Sequence, residues 1–139
     1  MREIVIAQEC LEFIETQNER VRNKFFQLIE IIGEVKVVHS HFIKKLQNTQ
    51  FYELRIKAGN EIRIIIFAID HLNFTECTKA ICLYGFVKKS TKDYKKAIKQ
   101  SESILSDYLE QKWIDMGQVF KASDTVSYTH LTLPTKRIV

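Results

Sequence analysis

FYELRIKAGNEIRIIIFAI, residues 51–69, decides how this chain folds. Its first half alternates. Tyr52, Leu54 and Ile56 fall on one side of an extended strand and Glu53, Arg55 and Lys57 on the other, because successive strand side chains point to opposite faces. Ala58-Gly59-Asn60-Glu61 carries the turn chemistry of a hairpin. Residues 62–69 are then apolar on both faces except at Arg63, the pattern of a central strand covered from both sides.

The elements on either side follow from this hairpin. DHLNFT, residues 70–75, makes a second turn, and TKAICLYGFV, residues 78–87, returns as a third strand. Ser90-x-x-Asp93 has the form of a capping box. The helix it opens shows an apolar stripe of Tyr94, Ala97, Ile98, Ile104, Leu105, Tyr108 and Leu109, running to about Trp113. Upstream, Leu11, Ile14, Val21, Phe25, Leu28, Ile29 and Ile32 recur at helical spacing. Thr16-x-x-Glu19 reads as a second capping box that splits this stretch into a helical hairpin, and Gly33 reads as its stop. EIVI, residues 3–6, predicts a short edge strand, and residues 34–50 a connector of weak strand or turn character. The predicted order is (β)ααβββα. That is an α+β domain, an antiparallel meander packed by an N-terminal helical hairpin and a C-terminal helix.

The totals bound the possibilities. A chain of 139 residues with 45% hydrophobic and 27% charged side chains suits one globular domain. Its apolar runs fall short of the roughly 18 residues that a membrane span needs, and MREIVIAQEC does not read as a secretory signal. Cys10, Cys77 and Cys82 form no CxxC and leave an odd count, which predicts buried reduced thiols in a cytoplasmic protein and no thiolate metal site. The net charge of +4 is unevenly spread. Between Lys36 and Lys99 there are 13 Lys/Arg against 5 Asp/Glu, a net of +8, and the rest of the chain holds 8 against 12, a net of −4. A basic middle with acidic ends suits a polyanionic partner. VSYTHLTLPTKRIV, from Val126, resembles translated sequencing-adapter read-through, so residues 1–122 are expected to be the functional domain and 123–139 a foreign tail.

FYELRI, the arginine of EIRIIIF, LYGFVKKS and the Asp107-Tyr108 pair together resemble the signature blocks of HigB-type toxins, often of phage origin, in the RelE/ParE toxin superfamily. The resemblance spans roughly residues 3–113 in the element order given above. It implies a RelE-like fold and a ribosome-dependent endoribonuclease that cuts messenger RNA in the A site without a metal or other cofactor. In that reaction the 2′-hydroxyl attacks the adjacent phosphate, leaving a 2′,3′-cyclic phosphate and a 5′-hydroxyl. It needs in-line positioning, cationic stabilisation and proton transfer.

Carried over position by position, the resemblance implies that Arg63 is the principal phosphate contact and that Arg55, Lys88 and Lys89 complete the catalytic charge. Tyr94 falls where related toxins carry a functional tyrosine. Lys57, Lys92 and Lys95 are expected to bind RNA. No histidine sits in the last strand or last helix, so proton transfer falls to a lysine of lowered pKa or to Tyr94; His39, His41 and His71 are expected at the surface. Ile62 stands where relatives carry an aromatic residue before the arginine. The implied partners are a HigA-like helix-turn-helix antitoxin, the ribosome and its message. The alternatives are a ParE-like toxin that binds gyrase and cleaves nothing, or an inactive prophage remnant of the same fold.

Overall fold

One mixed sheet organises the molecule, a computed structural model that describes residues 2–38, 41–121 and 135–138, with side chains through Gln111. Its strands in chain order are β1 (Glu3–Ala7), β2 (Ile43–Lys45), β3 (Tyr52–Ala58), β4 (Asn60–Ala68) and β5 (Lys79–Val87). In space they run β2-β3-β4-β5-β1, and a short stretch of tail backbone, β6 (Thr135–Ile138), lies antiparallel on the far side of β1. The antiparallel meander is therefore present as β3-β4-β5. The sheet is mixed because β1 pairs parallel to β5, in the register Val5↔Ile81. β1 is the outer strand of this five-stranded order, as expected of residues 3–6, with only the tail's β6 beyond it. Its parallel pairing corrects the expectation of a purely antiparallel sheet, and Ile4, Val5 and Ile6 are buried. The three-residue strand β2 lies in the stretch 34–50, expected as a connector of weak strand or turn character, and pairs Lys44 with Glu53 on β3.

Helices cover both faces of the sheet. α1 (Gln8–Glu15) and α2 (Glu19–Glu34) bury Cys10, Ile14, Phe25, Leu28 and Ile32 against Leu54 and Ile56 of β3 and Ile62, Ile64 and Ile66 of β4. α3 (Lys92–Lys121) buries Ala97, Leu105 and Tyr108 against Phe51, Ile65, Ile81 and Leu83 on the opposite face. With both faces covered, the near-continuous apolar run of β4 has its explanation. α3 runs past the expected end near Trp113.

The helix boundaries correct two readings. Thr16 closes α1, its hydroxyl donating to the Phe13 carbonyl, and the residue that caps α2 is Asn18, whose side chain accepts the Val21 N–H at 2.9 Å. Gly33 is a helical residue with α2 continuing one residue beyond it, and a Cβ there would stand 3.3 Å from the Arg2 carbonyl oxygen. Close approach explains this glycine better than a stop does. Arg2 itself is buried. Its guanidinium donates to the carbonyls of Ile32, Val35 and Lys36 at the end of α2 and to those of Phe74 and Thr75 across the molecule.

Gly85 matters most for the packing of α1. A Cβ on it would lie 2.3 Å from the Phe13 ring and 2.9 Å from Ile64 Cδ1, so only a bare backbone lets α1 sit against β5. At the other end of β5, Asp93 closes the expected capping box by accepting the Ser90 N–H at 3.0 Å and the Lys89 N–H at 2.7 Å. Cys10, Cys77 and Cys82 are free and buried. Among the described residues no helix is long and apolar enough to cross a membrane.

Candidate functional site

The hairpin register sets the site. Arg55 stands directly opposite Arg63, and Lys57 opposite Glu61. Side chains of such a pair lie within about 5.5 Å, so two guanidinium groups would repel each other. Glu53 relieves this from one pair along β3. Its Oε1 lies 2.6 Å from Arg55 Nε and 3.9 Å from Arg63 Nε. The charged face of FYELRIK is thus only partly solvated, since α3 packs over it: Glu53 is 1% exposed and Arg63 3%, while Arg55 keeps 34%. Glu53 Oε2 is buried and accepts no hydrogen bond among the described residues.

Each nitrogen of Arg63 donates inside the protein. Nη2 reaches Glu61 Oε2 at 2.6 Å, Nη1 the Ile62 carbonyl at 3.1 Å, and Nε the Tyr94 hydroxyl at 3.0 Å. Burial pulls its pKa down, but the bonds to Glu61 and Tyr94 outweigh that and raise it, so the guanidinium stays charged. The Arg63 bond in turn lowers the Glu61 carboxyl. The expected principal phosphate contact is therefore an interior residue, with its planar fork already committed to the protein.

Tyr94, in the first turns of α3, is half-buried with its ring edge-on to Phe86 at a centroid distance of 5.4 Å. Burial first, and then the Glu53 carboxylate, raise its phenol above the ordinary value, with Arg63 acting the other way. Lys88 leaves β5 beside it. Its backbone N–H donates to the Glu61 carbonyl at 2.7 Å, and Nζ lies 5.9 Å from the centre of the Tyr94 ring. These groups meet in a cleft of about 420 Å³ lined by Lys44, Lys45, Glu53, Arg55, Lys88 and Tyr94 among others.

Of the expected site residues, Arg55, Lys88 and Tyr94 share this cleft and Arg63 lies behind it. Lys89, Lys92 and Lys95 are exposed around the start of α3 and do not line it. Lys57 lines a neighbouring cleft with Arg55. Three charged residues of the lining are not among the expected site residues: Glu53, Lys44 and Lys45. The lysines carried a weak signal, as an adjacent basic pair in HFIKKL just before the hairpin, in a stretch without strand alternation. Glu53 had none, because an in-strand glutamate on a charged face reads as solvated until α3 is seen to cover it. His41 and His71 are exposed, and His39 falls outside the described residues. Among the described residues no three His, Cys, Asp or Glu side chains form a cluster that could hold a metal ion.

Residues 12–105 match the model of the family described as phage derived protein Gp49-like (DUF891). The chain belongs to the phage-derived Gp49-like family. The match begins midway through α1 and covers all of α2, all of β2 to β5 and the first half of α3, so every residue lining the Gp49-like cleft falls inside it. No curated protein and no solved structure matches the chain.

Proposed function

We propose that this protein is the toxin of a type II toxin–antitoxin pair, of the HigB-type branch, and that it cleaves messenger RNA bound in the ribosomal A site. The Gp49-like family is associated with toxins of the RelE/HigB type, and membership supports the broad reading. The observation that carries the finer one is the cleft. Lys44, Lys45, Arg55 and Lys88 bring four cations around a tyrosine and a carboxylate, the group types that metal-independent phosphoryl transfer needs.

In this reading Arg55 and Lys88 hold the scissile phosphate and offset the charge that builds on its oxygens as the 2′-hydroxyl attacks. Arg55 is the more exposed arginine, and its fork suits a phosphate. Tyr94, with a raised pKa, is a phenol at neutral pH and donates its proton to the departing 5′-oxygen. Glu53, on the wall of the cleft, takes the proton of the attacking 2′-hydroxyl; its carboxylate otherwise pairs with Arg55 and lies against the Tyr94 hydroxyl. Arg63 is a positioning residue: it fixes the Tyr94 hydroxyl and shares Glu53 with Arg55. The ribosome would supply the message and its alignment. A HigA-like antitoxin would neutralise the toxin.

The burial of Arg63 favours a second reading as well. A toxin of the same architecture that acts by binding gyrase, as ParE-like proteins do, has no need of an accessible arginine at this position. Cleavage of messenger RNA on programmed 70S ribosomes separates the two. Full-length protein should cut within the A-site codon, and an Arg55→Ala, Lys88→Ala double variant should not. A folded wild-type protein that leaves the message intact removes the nuclease reading, and gyrase inhibition is then the assay that remains.

A further inference from the structure

A second cleft, about 490 Å³, opens between α2 and the start of β2. Lys24, Lys44, Arg55 and Lys57 wall it over a floor of Leu28 and Phe42, and none of its described lining residues is acidic. Lys24, Lys44 and Lys57 form no salt bridge among the described residues. Phe42 is half-buried, its backbone carbonyl held by the Arg55 N–H at 3.2 Å. This cleft meets the first at two residues, Lys44 and Arg55, which line both.

We propose that this second cleft is a nucleotide-binding subsite for single-stranded RNA, one that holds a flanking base against Phe42 and its phosphates on Lys24 and Lys57. The proposal rests on the reading of the first cleft as the place where RNA is cut, and it extends the track on which that RNA lies. Cations spaced around an aromatic floor are what a single strand requires, because every base has a face to stack and every residue a phosphate. An acidic peptide would use the lysines but would leave the Phe42 ring without a planar partner. Arg55 sits where the two clefts join and faces the phosphate between the held base and the cut.

Anisotropy of a short fluorescein-labelled oligouridylate titrated with full-length protein at several salt concentrations tests this. Lys24→Ala should lower the slope of log K against log salt by about one, the loss of one phosphate contact. Phe42→Leu, which keeps an apolar side chain but no ring, should weaken binding about tenfold and leave the slope unchanged. Phe42→Tyr restores a ring and should bind as the wild type does, which separates stacking from a packing defect, and Lys99→Ala on the exposed side of α3 should change nothing. The subsite is overturned if Lys24→Ala and Phe42→Leu both bind RNA like the wild type. It is overturned equally if a polyglutamate peptide binds as tightly as the RNA and ignores Phe42→Leu. Ribosomal cleavage measured alongside keeps the two claims apart. Variant-sensitive RNA binding without cleavage leaves the subsite and removes the nuclease, whereas cleavage with variant-insensitive RNA binding removes the subsite alone.

Discussion

Arg55 and Arg63 are direct cross-strand partners, and the Glu53 carboxylate lies against both, at 2.6 and 3.9 Å. Two like charges at this spacing are tolerable only with the carboxylate between them. One arginine faces the cleft and the other the interior, so the same ion cluster supplies an exposed phosphate ligand and a rigid support behind it. Glu61, 47% exposed, closes the cluster from the solvent side.

Removing Glu53 should therefore cost more than removing Glu61. Glu53→Gln strips the shared counter-charge from a buried arginine and should lower unfolding stability by about 1–3 kcal/mol. Glu61→Gln breaks a contact at an exposed, solvent-screened rim and should cost clearly less. Urea denaturation with a common slope m is the measurement. Equal losses at the two positions would show that Glu53 is not the keystone of the cluster.

The two arginines should separate by phenotype. Arg55→Ala should lower message cleavage by about 10²-fold or more, the scale of losing one preorganised charge. Its drop in unfolding midpoint should be smaller than that of Arg63→Ala, because Arg55 is the more exposed partner of Glu53. Arg63→Ala opens a cavity and frees Tyr94, so it should lower stability and activity together. Single-turnover rates on programmed ribosomes beside thermal melts decide this. A stable but inactive Arg63→Ala would return that residue to direct phosphate contact.

How far the sequence could be read follows from which signals are local. The meander, the split near Thr16 and the helix opened by Asp93 rest on alternation, helical spacing and a capping pattern, all confined to a few residues. The parallel partner of β1 is more than seventy residues away, and no local pattern reports it. Glu53 and Arg63 were legible as charged residues but not as buried ones, because the cover comes from α3, some thirty residues downstream of Arg63. Gly33 misled for a related reason. Glycine after an apolar helix stripe reads as a stop, and only the Arg2 backbone packed against it shows the close approach that it serves.

Gly85→Ala tests the packing that places α1 on the sheet. A methyl group 2.3 Å from the Phe13 ring must displace it, and overpacking of this kind typically costs about 1–3 kcal/mol. Phe13→Leu in the same chain should recover part of the loss, giving a coupling energy between the two sites in a double-mutant cycle. Additive effects would mean that the ring moves aside without resistance.

Acid should loosen the turn that leads into β5. The Asp70 carboxyl is held below its ordinary value by the Thr78 hydroxyl and by the backbone N–H groups of Thr78 and Lys79. A carboxyl whose folded pKa is depressed contributes stability in full above its unfolded pKa, and that contribution is lost as pH falls through the folded value. Asp70→Asn should therefore destabilise the protein at neutral pH and flatten the acid limb of its stability curve, with the gap to wild type closing below the normal carboxylate range. Melting midpoints across pH 2–7 check the sign, and a gap that stays constant to the lowest pH would assign the loss to geometry instead of charge.

Tyr94→Phe isolates the proton donor from the packing. The ring edge against Phe86 is kept and only the hydroxyl goes, leaving Arg63 Nε without that acceptor. Cleavage should fall by about 10²–10⁴-fold, the usual worth of a positioned acid, with a much smaller change in stability. Because burial raises the Tyr94 pKa, the wild-type alkaline limb should lie above the ordinary tyrosine range and be absent from the variant's residual activity. Single-turnover cleavage against pH reads both features. A variant that cleaves at the wild-type rate with the same alkaline limb would remove Tyr94 from the chemistry and leave it a packing residue at the start of α3.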